Sequence, residues 1–136
     1  MSFTLHPNFA SKERLLELPL SVVLLETEKP YPWLILVPKR EGARRLLDLS
    51  FEDRVQLMKE IELAERTLFN EFTPDQMNVC QIGIKTPQLH IHVIARFKED
   101  PSWPDTVFEN SSTEWFLPFD RQTMRERILQ RIQPPL

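Results

Sequence analysis

Two uninterrupted apolar runs, Ser21 to Glu26 (SVVLLE) and Trp33 to Val37 (WLILV), are rich in β-branched and aliphatic residues and predict buried strands. The segment between them, Thr27 to Pro32, holds Pro30 and Pro32, which cannot donate to a sheet ladder, so it reads as a turn and the two strands as a hairpin. Upstream, Asn8 to Leu18 reads as a short helix anchored by Phe9, Leu15, Leu16 and Leu18. After a polar connection, Lys39 to Leu49, the pattern changes period. Apolar residues return at Phe51, Val55, Met58, Ile61, Ala64, Leu68 and Phe72, which places them on one face of a long amphipathic helix. Ser50 offers an N-cap with Asp53 three residues on, and Thr73-Pro74 ends the helix. Gln76 to Ile82 (QMNVCQI) and Gln88 to Arg96 (QLHIHVIAR) predict two more strands around a tight loop, Gly83 to Pro87. Asp100 to Ser112 reads as irregular, and a final helix from about Asp120 to Ile132 uses Met124, Ile128, Leu129 and Ile132. No repeat or linker divides the chain. Residues 1–136 are expected to form one α+β domain: an antiparallel sheet of about five strands, one long helix and a C-terminal helix.

Composition narrows the function classes. At 41% hydrophobic and 27% charged, the 136 residues can bury a core. A formal net charge of −3 argues against a sequence-independent nucleic-acid binder. Two glycines leave no room for a Gly-rich phosphate loop. The single cysteine, Cys80, has no internal disulfide partner, and its alternation with Gln81 predicts that it points into the core. No secretory signal and no apolar stretch of membrane-spanning length is found, so a cytoplasmic protein with no membrane partner is expected.

Chemistry concentrates on one strand. Alternation puts Gln88, His90, His92, Ile94 and Arg96 on one face and Leu89, Ile91, Val93 and Ala95 on the other. The second set is wholly apolar and faces the core, so the first faces a cleft or solvent, with Arg96 marking the strand end. Three readings remain open at this point: a polar sheet surface, a pair of metal ligands, or a catalytic pair. A catalytic metal usually needs a third protein ligand, and the nearest acids, Glu99 and Asp100, fall in a loop. Trp33, Trp103, Phe108 and Trp115 are candidates for an apolar base pocket, although such aromatics more often pack a core or a lid.

PQLHIHVIAR resembles the signature of the histidine triad (HIT) family, in which three His alternate with apolar residues. WLILVPKR resembles that family's second strand and its exit, LLDLSFEDRVQLMKEI its loop and long helix, and NVCQIG the strand before the catalytic one. The resemblance covers roughly residues 20 to 100, in order. It implies a HIT-like fold and a nucleotide hydrolase or nucleotidyl transferase. On that resemblance His90 is the nucleophile on the α-phosphorus, and His92 donates to phosphate oxygens or the leaving group. Gln81 then contacts phosphate or ribose, Thr27 touches the ribose, and Trp33 lines the nucleoside pocket. Three positions depart from the family pattern: Gln88 stands where the first His is expected, the 83–87 loop is short, and Ala95 replaces a Pro. An amide at Gln88 hydrogen-bonds but carries no charge. Lys85 and Thr86 stand in for the missing loop donors.

A neutral imidazole is a nucleophile at neutral pH, since its reference pKa is about 6.5. Attack through one nitrogen requires the proton on the other, where a backbone carbonyl can hold it. A covalent nucleotidyl-His90 intermediate needs neither metal nor cofactor, and none is expected. The implied partner is a nucleotide or dinucleotide: a nucleoside phosphoanhydride of the dinucleoside polyphosphate type, or a phosphoramidate. The resemblance also implies a homodimer, since members of that family link strands edge to edge across a two-fold axis. Two rivals stand beside the enzyme: a nucleotide-binding module without turnover, and a scaffold homodimer with a vestigial pocket.

Overall fold

A computed structural model of the chain describes residues 3–133. Five strands form one sheet: β1 (Glu13–Glu17), β2 (Ser21–Leu25), β3 (Trp33–Pro38), β4 (Gln76–Cys80) and β5 (Ile91–Arg96). Their order is β1-β2-β3-β5-β4, and every neighbouring pair is antiparallel. Two helices, α1 (Phe51–Phe72) and α2 (Arg121–Arg131), complete the expected α+β architecture. Among the described residues no helix is long and apolar enough to cross a membrane.

The central strands read as continuous apolar runs because both of their faces are covered. One face presents Val23, Leu25, Leu34, Leu36, Ile91, Val93 and Ala95 to α1 and α2. The other presents Val22, Leu24, Trp33, Ile35 and Ile94 to a second cluster built from Phe9, Tyr31 and Val107. That second layer holds the first segment of the chain, with Phe3 and Leu5, and the irregular segment before α2, with Phe116.

Helix α1 has the expected ends. Ser50 Oγ accepts from the Asp53 N–H, and Thr73 closes the last turn in the left-handed region at φ 42° before Pro74 forbids continuation. Its buried stripe is Leu57, Ile61, Ala64, Leu68 and Phe72. Phe51, Val55 and Met58, expected on that stripe, stand outside it; Phe51 is 70% and Met58 64% exposed. Glu60 is buried on this helix, and its two carboxylate oxygens accept from the backbone N–H groups of Leu20 and Ser21 at 2.8 and 2.9 Å. It thereby satisfies the donors at the start of β2, where the ladder supplies none.

Three expectations need correction. The segment from Asn8 to Leu18 is not a helix: a 3-10 turn at Pro7–Phe9 leads into β1. Register shifts between Arg14, opposite Leu24, and Leu16, opposite Val23. That irregularity breaks the two-residue alternation by which a strand is recognised. The third and fourth strands are shorter than expected, ending at Cys80 and beginning at Ile91, so Gln81 to His90 is connecting chain and Gln88 lies outside the strand. Cys80 sits opposite His92 in the register, which puts it on the histidine-bearing face rather than the helix-facing core.

Candidate functional site

His90 is the last residue before β5 and His92 the second residue within it, with ring centroids 4.9 Å apart and planes at 81°. Both point to the same side of the sheet. That side is not an open crevice as expected: His90 is 6% and His92 8% exposed, because the second layer closes over them. Phe9 packs edge-on to His90 with centroids 5.1 Å apart, and Phe108 edge-on to His92 at 5.2 Å. A pocket of about 380 Å³ still reaches both imidazoles. It is walled by the connecting chain from Ile82 to Thr86 and by Phe108.

The hydrogen bonds assign the two rings opposite roles. His90 Nδ1 lies 2.7 Å from the backbone carbonyl of Gln88, which can only accept, so the ring carries its proton on Nδ1 and leaves a lone pair on Nε2. His92 Nδ1 accepts from the indole N–H of Trp33 at 3.0 Å. An indole only donates, so the His92 proton sits on Nε2. One Nε2 therefore carries a lone pair and the other a donor proton.

Burial pushes the pKa of His90 down, against the opposing pull of the Gln88 carbonyl. Burial, helped by the nearby charges of His90 and Lys12, brings His92 down to about 3. Both rings are neutral at neutral pH. The unfolded chain, with a His pKa of about 6.5, takes up this proton first as the solution is acidified. The stability contributed by neutral His92 is complete above pH 6.5 and is lost between there and about pH 3. The slope is at most about 1.4 kcal/mol per pH unit for one such group. Urea midpoints measured from pH 7 to 5 should fall less steeply for His92→Gln than for the parent chain; parallel curves would contradict the assignment.

The HIT domain family model matches residues 9–99. Solved structures agree over the whole chain. A histidine triad protein from Bradyrhizobium japonicum is 32% identical, covering 98% of this chain and 100% of that one at a TM-score of 0.89. Another from Marinobacter aquaeolei VT8 is 30% identical, covering 98% and 100% at a TM-score of 0.85. A third, from Sinorhizobium meliloti 1021, is 30% identical over 95% of this chain and 96% of that one, also at a TM-score of 0.85. The chain belongs to the HIT family. No curated protein matches it.

Within this HIT domain the expected site residues are not all in one place. Lys85 and Thr86 line the histidine pocket. Trp33 is buried, donates its indole N–H to His92 Nδ1, and is not among the residues that line the histidine pocket. Gln81 lines a different groove, with Leu46, Arg54 and Met58. Its Nε2 would lie 2.9 Å from any Cβ at Gly83, whose φ of +68° also demands glycine. Thr27 hydroxyl donates to the Ser11 carbonyl and faces a small cavity with Glu13 and Arg121. The side chain of Gln88 turns away from the histidines altogether; it bonds to the backbone of Thr4 and His6. Among the described residues no group of three or more His, Cys, Asp and Glu is placed to hold a metal ion.

Two participants were not singled out in the sequence. Phe9 reads there as a helix anchor, yet it packs on His90. Lys12, bonded to buried Glu26 at 2.9 Å, contributes its charge beside His92. Neither lies in a periodic segment, so neither left a pattern. The Arg96 side chain is more than a strand end: it is buried in a bidentate pair with Asp100, at 2.8 and 3.1 Å.

Proposed function

We propose that this HIT protein cleaves a nucleoside phosphoanhydride or phosphoramidate at the α-phosphorus, through a nucleotide covalently held on His90. The opposed tautomers of His90 and His92 on one pocket carry the reading. His90 Nε2 attacks phosphorus and forms a P–N bond, while the bond to the leaving group breaks and its electron pair departs with that group. The Nδ1 proton stays on the ring, held by the Gln88 carbonyl, so the charge that develops on the imidazole is met by a fixed acceptor. His92 contributes a hydrogen bond from Nε2–H to a phosphate oxygen or the leaving group; a phosphate leaving group departs as its anion, whereas an amine takes up a proton from solvent as its bond to phosphorus breaks and leaves neutral. Lys85 and Thr86 supply further polar contacts in the pocket, with Trp33 fixing His92; Gln81 and Thr27 line other cavities and take no part in this arrangement. Water then attacks phosphorus, the P–N bond breaks back onto Nε2, and the nucleoside monophosphate leaves with the water's oxygen. No metal or cofactor enters either step.

A panel of adenylated and guanylated anhydrides and amidates, read by mass spectrometry, tests the reading. Release of a nucleoside monophosphate supports it. Saturable binding of the same compounds without any release would make the protein a nucleotide-binding module instead.

A homodimer, in the cytoplasm, belongs to the same proposal. Strand β4 is an edge with one free side, and exposed Val79 on it shares an apolar groove with exposed Leu46 and Met58. Apolar groups gathered beside an unpaired strand favour pairing with a second copy. Met58→Glu would place a charge in that patch. Light scattering should then show the dimer of the 16.2 kDa chain replaced by monomer; a parent chain that is already monomeric would refute the arrangement.

A further inference from the structure

Gln88 occupies the position at which the family signature carries its first histidine, and its side chain does nothing to the other two. Its Oε1 accepts from the His6 N–H at 2.8 Å, and its Nε2 donates to the Thr4 carbonyl at 2.9 Å. A primary amide presents an acceptor and a donor on one carbon, the same pair that a neighbouring peptide strand would offer. It therefore closes onto residues 4 and 6 as a one-residue bridge across more than eighty positions of sequence. An imidazole has its two nitrogens on opposite sides of a ring and cannot meet both groups of one chain segment.

The segment so held is a wall of the histidine site. Two residues beyond the bridge, Asn8 Nδ2 donates to Thr86 Oγ1 at 2.9 Å, tying the segment to the lip of the pocket. One residue further on, Phe9 rests its ring against His90. Phe3, just before the bridged residues, and Leu5, between them, pack into the second apolar layer. The backbone carbonyl of Gln88 meanwhile orients His90 whatever side chain the residue carries. The two jobs of this position are separable: the main chain serves the nucleophile, and the side chain serves the wall.

We propose that Gln88 is a positioning residue, whose amide fastens the segment from Thr4 to Phe9 as a wall that sets Thr86 and the outer face of His90 for substrate. This rests on the catalytic reading above for its kinetic consequence, and on geometry alone for its structural one. Restoring a histidine at this position should therefore weaken the site rather than complete a triad.

Three variants test it: Gln88→Met, which keeps the length and removes both hydrogen bonds, Gln88→His and Gln88→Glu, which keeps the acceptor and sets a carboxylate against the Thr4 carbonyl. Amide exchange at His6, followed by NMR, should quicken about tenfold in the Met and His variants, the effect of losing one to two net hydrogen bonds. Exchange in the core of β3 and β5 should stay as in the parent chain. On a substrate that the parent chain turns over, KM should rise about tenfold for both variants, with kcat moving by less than about threefold. Glu at this position should give a KM at least as high as Met. Gln88→His with faster turnover than the parent, or His6 exchange unchanged in Gln88→Met, would overturn the proposal. Because the exchange measurement needs no substrate, a protein that turns over nothing would refute the catalytic reading and leave this result standing by itself.

Discussion

His90→Ala is expected to abolish turnover, by about 10⁴- to 10⁶-fold in kcat, the range found when a covalent nucleophile is removed. The magnitude follows from the division of labour at the site. Of the two imidazoles only His90 keeps a lone pair on Nε2, since the Trp33 bond commits the other ring to donating from Nε2. His92→Ala should cost less, because it removes one hydrogen bond to the phosphate and no bond-making step; about 10²- to 10³-fold is the usual loss for one donor to a developing negative charge. The fold should survive the His90 substitution, since the ring packs against Phe9 and His92 at the rim of the second layer, not within the helix-facing core. Steady-state kinetics with a nucleotide-binding titration on the same sample will separate the two effects. Binding retained with turnover lost is the expected outcome, and a His90→Ala enzyme with parental kcat would exclude the mechanism.

Asp100→Ala is expected to destabilise the protein by about 3–5 kcal/mol, lowering Tm by about 10–20 °C. The side chains of Arg96 and Asp100 are 4% and 0% exposed. Besides the two bonds from Arg96, the Asp100 carboxylate accepts the N–H groups of Phe97 and Ser102, both at 3.0 Å, and of Trp103 at 2.8 Å. Arg96 is further tied to Asn78 and to the Asp105 carbonyl at 2.8 and 2.7 Å. Removing the acid leaves a buried guanidinium without its counter-charge and a turn without its acceptor. Burial opposes ionisation of Asp100, but the Arg96 bond and the Phe97 and Ser102 backbone donors outweigh it, and the carboxyl is held below its usual range. Its stabilisation is complete above the unfolded pKa and disappears as pH falls through the lower folded value. The turn leads directly into the 3-10 segment that carries Phe108 over His92. The same variant should therefore also loosen the histidine pocket. Calorimetry at neutral pH decides it; a Tm within a degree or two of the parent would show that the pair contributes nothing.

Much of this architecture is visible in the chain before any coordinates are known, and the reason is local. Strands β2 and β3 are apolar runs between prolines, and α1 carries its own cap at Ser50 and its own stop at Thr73-Pro74. His90 and His92 share a side by a two-residue repeat that runs one residue back from the start of β5 and is legible from spacing alone. What could not be read is set by distant partners. Strand β1 hides behind a register shift that only its pairing with β2 reveals. The exposed Phe51, Val55 and Met58 repeat like core residues, and only the packing of α1 on β3, β5 and α2 shows that its Leu57, Ile61, Ala64 and Leu68 stripe is the one buried. The covering of the histidines by Phe9 and Phe108 comes from two segments without periodicity. The task of Gln88 lies in bonds to Thr4 and His6 that no spacing rule announces.

The most direct test is to mix the protein with a labelled dinucleoside polyphosphate, quench in base within the first turnover, and map the adduct by mass spectrometry. The account predicts one nucleoside monophosphate attached to His90, stable to base and lost in acid, and absent from His90→Ala. Turnover with no adduct at any time, or an adduct on another side chain, would contradict it.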